Sequence, residues 1–384
     1  MQDPSPKNPA PLDPNTTLEE LRALLYAPPS PSSWADLWGA FLAIEDPALL
    51  QLGLDYACDH LNAHRSAWRP AARSAPGAWV GALALDLREP RVALLRALDV
   101  ERPESVWIPA GDFLMGSPTE EKHRDSDEAR HPVRLTRSLI VWTTPVTQRQ
   151  WLALMGSNPS HFQGEGCPGW EDHPVEQVNW FKAMDFCNAL SRRDGLRPAY
   201  HKVAQSTQEY AFEGLGAEGW RLPTEAEWEY ACRAGTQTST YIGDVEILGG
   251  NNAPDLDPIA WYGGNSGVDY ALGFDSSTWS EMHTPTPRSG THPVALKQPN
   301  TWGLYDTLGN VWEWTGDRFD ASLGRNAQEI AIDPTGPAEG GQLAKRGGSW
   351  YLHARFCRAS HRGTREPTFS CNYLGLRPVR SHLR

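Results

Sequence analysis

Between Leu18 and about residue 100 the apolar positions recur every three to four residues, the spacing of one helix face. Ser33-Trp-Ala-Asp-Leu-Trp-Gly-Ala-Phe-Leu42 shows the pattern, and so does the run from Pro47 to Arg65. Thr16 or Thr17 can cap the segment Leu18 to Leu25, and Thr17 with Glu20 has capping-box spacing. Pro28-Pro29-Ser30-Pro31 and Ala71-Ala-Arg-Ser-Ala-Pro76 break the helices apart. Residues 1–16 are rich in Pro, Asn and Ser and read as disordered, so residues 17–103 are expected to form a small helical domain or arm.

The period changes after Arg102-Pro103. Val106 to Ser117 alternates like a strand and ends in a glycine turn, and His131 to Leu135 alternates again. Thr147 to Met155 and Trp180 to Ser191 read as amphipathic helices. The sharpest local signal is Gly219 to Ala231, where Thr224 and Glu227 form a capping box and Pro223 stands just outside the helix. Residues 236 to about 300 are long, rich in Gly, Asn and Asp, and without period. A stretch of that length is expected to be functional or pinned by a metal.

Composition sharpens this picture. The chain has 384 residues, with 17 Trp beside 34 Gly and 32 Pro. A Trp ring in a loop-rich chain has to be buried with its N–H paired, so a loop-dominated fold held by buried Trp is expected. The net charge of −12 excludes a typical nucleic-acid binder, which needs clustered Lys and Arg. No apolar run approaches the roughly 20 residues that span a bilayer, and no signal-peptide pattern opens the chain, so no membrane partner and a cytoplasmic location are expected. The six cysteines form no C-x-x-C pair. There is no G-x-S-x-G, H-E-x-x-H or P-loop, so a hydrolase is unsupported. Asp125, Asp127 and Glu128 read as a solvated charged loop.

Several motifs follow one another in order: Phe113-Leu-Met-Gly-Ser117, Pro145-Val-Thr147, His173-Pro-Val175, Val178-Asn-Trp180, the Gly219–Ala231 block, Asn300-Thr-Trp-Gly-Leu-Tyr-Asp306, Leu308-Gly-Asn-Val-Trp-Glu-Trp314 and Arg346-Gly-Gly-Ser-Trp350. As a set they resemble the formylglycine-generating-enzyme (sulfatase-modifying factor) superfamily over residues 104–384. The resemblance implies an α+β, loop-rich C-type lectin-like domain behind the helical arm. In the family's oxidases two cysteines, five residues apart, follow the Gly-Gly-Ser-aromatic motif and bind copper. Here those positions hold Leu352 and Cys357. A leucine offers no thiolate, so no copper is expected. A sister branch of the superfamily adds a helical bundle with three iron-binding histidines. The arm offers His60 and His64, one turn apart, and no third histidine before them.

From Arg346 onward the layout is similar to the variable segment of retroelement-diversified proteins, spanning about 346–377. The fixed frame is Arg346 to Trp350, Ala354, Arg355, Cys357 to Ala359, Arg362 and Leu374 to Pro378. Between these stand Tyr351, Leu352, His353, Phe356, His361, Gly363, Thr364, Ser370, Cys371, Asn372 and Tyr373. All of them are reachable from an AAC codon by changing its adenines alone. The mixture of rings with small polar groups has paratope composition. The expected function is therefore non-enzymatic binding of a protein or other macromolecular ligand at a diversified, solvent-exposed patch. Trp350, Arg358 and Leu374 are expected to be buried beneath it. The alternative is a formylglycine-generating-type oxidase, or an inactive relative of one, using Cys357. For Leu352 and Phe356 a place in the core of a strand pair remains open.

The resemblance also implies a structural calcium ion, held by Asp306 and Glu313 with backbone oxygens of Gly309 and Val311, and a second site beginning at Asn252. The alternative for the acids is that they cap backbone N–H groups without metal.

Overall fold

The structure is a computed structural model and describes residues 105–203, 210–325 and 329–382. The chain divides into two units, 1–101 and 102–384. The expected disordered N-terminus, the helical arm and the His60/His64 pair lie outside the described residues.

Short strands and three helices carry the second unit. In chain order the strands are β1 (Ser105–Ile108), β2 (Gly111–Met115), β3 (His131–Leu135) and β4 (Leu139–Trp142). After them come helices α1 (Gln148–Met155) and α2 (Trp180–Arg193), the small hairpin β5 (Tyr200–Lys202) with β6 (Tyr210–Phe212), and helix α3 (Glu225–Arg233). The C-terminal half adds β7 (Phe274–Asp275), β8 (Arg288–Ser289), β9 (Trp312–Arg318), β10 (Ala331–Ile332) and β11 (Leu343–Arg346). Strands β12 (Arg362–Arg365), β13 (Leu374–Gly375) and β14 (Val379–Ser381) end it.

Sequence explains the helix ends directly. Thr147 caps α1 and Thr224 caps α3, each in a full capping box, with Gln150 and Glu227 reaching back to the cap N–H. Asn179 caps α2 by accepting from the Lys182 N–H. Gly156 ends α1 in the left-handed region.

The strands form three larger sheets, in the orders β1-β4-β14, β10-β3-β2 and β12-β11-β9-β13, and two two-stranded ones, β5-β6 and β7-β8. Strand β14 returns the chain end to β4, pairing Val379 with Val141, so both ends of the unit share one sheet. The third sheet carries the candidate site. Its central strands β9 and β11 are buried almost throughout, and tryptophans fill the space around them. Trp142 meets Phe186 and Trp220 edge-on at 6.0 Å each. Trp314 donates Nε1–H to the Val178 carbonyl at 2.8 Å. Trp314 is a buried indole with a paired N–H, as the composition predicted, whereas the buried Nε1–H groups of Trp312 and Trp261 have no partner among the described residues.

The long aperiodic stretch after residue 236 is pinned by its own core rather than by regular structure. Leu256, Ile259, Ala260 and Tyr262 are buried against Trp228 and Cys357. The Tyr262 hydroxyl accepts from the Ala253 N–H at 2.9 Å and donates back to the Ala253 carbonyl at 3.2 Å, which closes the loop on itself.

Candidate functional site: a patch on a charge-locked frame

Two consecutive glycines turn the chain out of β11. Gly347 and Gly348 sit at φ +102° and +75°, a region costly for other residues. A Cβ at Gly348 would lie 2.7 Å from Cys357 Sγ and 2.8 Å from the Phe356 carbonyl oxygen. Only glycine lets the segment fold back on itself here. Trp350 then anchors it. Its side chain is fully buried, packs edge-on against Phe162 at 5.4 Å, and donates Nε1–H to the Asn372 carbonyl at 2.9 Å. One indole thus ties both ends of the segment together.

Buried arginines do the rest. Arg346 pairs with Glu229 and also holds the Ala359 and Ser360 carbonyls. Arg358 forms a two-pronged pair with Glu128 at 2.7 and 2.8 Å and reaches Glu121 at 2.6 Å. Arg362 grips Glu225 at 2.6 and 3.0 Å, and Arg377 grips Glu313 at 2.8 Å. The charged loop is therefore not solvated as expected. Glu128 is buried and serves as the counter-charge of Arg358; against the opposing effect of burial, hydrogen bonds from His361 and Arg358 hold its carboxyl far below the ordinary range. Asp125 stays half-exposed, and Asp127 offers its carbonyl to Arg362 at 3.0 Å.

On this frame the interleaved residues make two groups of ring contacts, Tyr351 with Tyr373 and His353 with Phe356 and His361. Tyr351 stacks on Tyr373 with ring centres 5.2 Å apart and planes within 6°. Tyr373 contacts Cys371, whose thiol burial pushes up to about 11. Leu352, Phe356, Cys371 and Tyr373 all rest half-buried on the main core. His353 is exposed, with its ring 6.3 Å from Phe356. Gly363 and Thr364 lie half-buried on β12, Asn372 is half-buried, and Ser370 is exposed on the returning turn. Leu352 and Phe356 thus sit between the two expectations: they pack on the core by one side and face outward by the other. No strand pair forms there; residues 354–356 make a single tight turn.

His361 departs from expectation. It is 6% exposed, lies beneath Phe356 at 4.9 Å between ring centres, and places Nδ1 3.2 Å from Asp125 and 3.6 Å from Glu128. Its burial comes from the partners that cover it: Phe356 lies over the ring, and Asp125 and Glu128 of the charged loop face it. His361, Asp125 and Glu128 are the one group of potential metal ligands among the described residues. Arg358 already neutralises Glu128 there.

The calcium residues form a different kind of site. Glu313 accepts from Trp228 Nε1–H at 2.7 Å and from Arg377. Asp306 accepts from the Ala295 N–H at 2.7 Å and from Asn310 at 3.4 Å. Gly309, at φ +79°, closes against Trp261, and Val311 is buried. Both carboxylates are committed to protein donors, so this donor set does not fit calcium. Asn252 lies in a tight turn with Gly249, and its Oδ1 is the side-chain oxygen of the predicted set left without a donor.

Residues the sequence did not single out complete the patch. Trp279 and Phe274 flank Tyr351 at 5.4 Å each, and the Arg355 guanidinium covers Phe356 at 4.4 Å. Lys345 lies under Gly363 with Nζ 3.3 Å from the Trp312 ring centre. Burial, with Arg365 nearby, holds its ammonium well below the ordinary lysine range. A lysine inside a strand of otherwise buried residues was the available signal.

Comparison with known proteins places this architecture. The Sulfatase-modifying factor enzyme 1-like domain matches residues 93–382. The chain belongs to this family. It is 33% identical over 252 residues to a protein named chaperone protein LppX of Paenibacillus barcinonensis, covering 62% of this chain and 78% of that one. It is 31% identical over 243 residues to the formylglycine-generating enzyme of Bos taurus, covering 61% of this chain and only 51% of the bovine protein. Among solved structures it is similar to Treponema denticola variable protein 1, with TM-score 0.57 and 33% identity, covering 72% of this chain and 94% of that one. The likeness to PvdO from Pseudomonas aeruginosa, with TM-score 0.50 and 22% identity over 73% of this chain and 95% of that one, supports the fold alone. The fold is thus the C-type lectin-like form of the sulfatase-modifying factor family. Among the described residues no helix is long and apolar enough to cross a membrane.

Proposed function

We propose that this protein is a non-enzymatic binder that displays residues 351–373 as a diversified recognition surface for a protein or other macromolecular ligand. The observation that carries the reading is the separation of roles along one segment. Arg346, Trp350, Arg358, Leu374 and Arg377 are buried and fix the backbone, while between them Tyr351, Leu352, Phe356, Asn372 and Tyr373 are half-buried and His353 and Ser370 are exposed. Such an arrangement tolerates sequence change at the surface, because core volume changes are the expensive ones. The likeness to a protein named a variable protein supports the same reading.

The second reading, an oxidase or a relic of one, draws on the similarity to formylglycine-generating enzymes and on Cys357. Against it, Leu352 replaces the first thiolate, and the Cys357 thiol is buried against Gly348 and pushed up to about 12. A thiol held protonated is a poor metal ligand and a poor nucleophile.

The test is a library randomised at Tyr351, Leu352, His353, Phe356, Ser370, Asn372 and Tyr373. Most clones are expected to melt cooperatively near the parent, and selection on unrelated protein targets should return different binders. General loss of the folded state across such clones would refute display. Copper- and oxygen-dependent oxidation of a peptide cysteine that vanishes in Cys357→Ala would establish the oxidase instead.

A further inference from the structure

Lys345 breaks the pattern of the frame. Six arginines are buried among the described residues, Arg221, Arg233, Arg346, Arg358, Arg362 and Arg377, and each has a glutamate partner. Lys345 is 4% exposed, and among the described residues no carboxylate pairs with it. Its neighbours do not supply the missing charge. Arg365 adds a second positive group, and Cys371 is a thiol that stays neutral at ordinary pH. His361, with its ring 5.6 Å from that of Trp312, is turned toward Asp125 and Glu128. What Lys345 does have is the face of Trp312. A buried charge without a partner is costly, and such groups concentrate at functional sites.

The way in is equally specific. Lys345 faces Gly363 across the β11–β12 register. A Cβ at Gly363 would lie 2.8 Å from Lys345 Nζ and 3.0 Å from the Trp312 ring. Position 363 belongs to the interleaved set, so its side chain decides whether the ammonium is covered. With glycine there, the lysine forms a cationic floor beside the Tyr351–Tyr373 stack.

We infer that Lys345 is the recognition cation of this patch, pairing through the gap over Gly363 with a carboxylate of the ligand, carried by an acidic side chain of a macromolecule or by a small organic acid. A phosphate dianion asks for several donors at once, and the floor offers one ammonium. The ligand carboxylate replaces the glutamate that every buried arginine has and this lysine lacks. The inference rests on the display reading and names the chemistry that this version of the patch selects.

Competitive acetylation of the full chain, mapped to individual lysines, tests it. The exposed Lys182 serves as reference. Succinate and a tetra-aspartate peptide are expected to slow acetylation of Lys345 about tenfold at saturation, as for a charged hydrogen bond, and to leave Lys182 unchanged. Succinamide, a tetra-asparagine peptide and inorganic phosphate should protect little. Stronger protection by the peptide assigns the carboxylate to a macromolecule, and stronger protection by succinate to a small acid. Lys345→Met should weaken binding of a dye-labelled tetra-aspartate peptide about tenfold while melting no lower than the parent. Gly363→Val should remove protection by covering the ammonium. No labelling of Lys345, equal protection by the neutral probes, or better protection by phosphate would each overturn the inference. None of these outcomes touches the tolerance of the patch to randomisation, which judges the display reading separately.

Discussion

Two sets of side chains alternate along residues 346–377, and the molecule treats them in opposite ways. The frame set is charged yet buried: Arg346, Arg358, Arg362 and Arg377 each meet a glutamate drawn from another element, α3, β9 or the loop before β3. The display set is rich in rings yet half-buried or exposed, and its members touch one another, the flanking Phe274 and Trp279, and the core beneath. This inverts the usual rule that rings go inside and charges outside. Two-pronged Arg–Glu pairs have fixed geometry, so they hold a backbone in register whatever its neighbours become. Rings at the surface give contact area without needing a particular partner.

The inversion predicts unequal costs. Arg358→Met should be among the most damaging changes, since it strands Glu128 and Glu121 in the interior. A loss of about 3–5 kcal/mol is expected, read as a large fall in melting temperature. Trp350→Ala should cost about 3–5 kcal/mol as well, through the cavity and the lost bond to Asn372. A calorimetric melt of either variant within a degree or two of the parent would erase the distinction between frame and display.

Glu176 sharpens the comparison from the other side, because it is a buried acid with no arginine. It accepts from the Phe162 N–H at 2.9 Å, and burial pushes its carboxyl up to about 8. The unfolded chain releases this proton near the ordinary glutamate value of 4.5, so the folded state binds more protons between the two values. Its stabilising contribution is therefore complete below about pH 4.5 and is lost as pH rises through about 8. Glu176→Gln removes the titration. The parent should lose stability between pH 5 and 9, by a few kcal/mol at most, and the variant should lose less. Identical pH profiles would show that Glu176 finds a counter-charge.

The smallest effect belongs to the display set. Phe356→Ser with Tyr373→Ser should cost only about 1–2 kcal/mol, a shift of a few degrees, since both rings are half-buried rather than enclosed. A drop matching that of Trp350→Ala would place them in the frame.

Sequence spacing made the local features legible. The capping boxes at Thr147 and Thr224, the amphipathic helices and the glycine turn after Arg346 depend on residues a few positions apart, and they stand where the chain pattern put them. The frame residues of the segment were legible too, through the resemblance to the family's variable segment. The resemblance, read from identities alone, also gave the expectation that Leu352 stands at the position of the family's first copper-binding cysteine.

Tertiary structure decided everything that depends on partners far along the chain. It turned Glu121 and Glu128 of the charged loop inward, because Arg358, more than two hundred residues later, needs them. It buried His361 beneath Phe356, and it gave Glu313 to Arg377 and Trp228 rather than leaving it free for an ion. It also left Lys345 without an acid beneath Gly363, a fact invisible in a list of charges, where Lys345 stands beside Arg346 like any basic pair. The physical reason is common to all of these. A helix cap is settled by bonds within one turn, whereas the state of a buried charge is settled by which opposite charge the whole fold brings within about 3 Å of it.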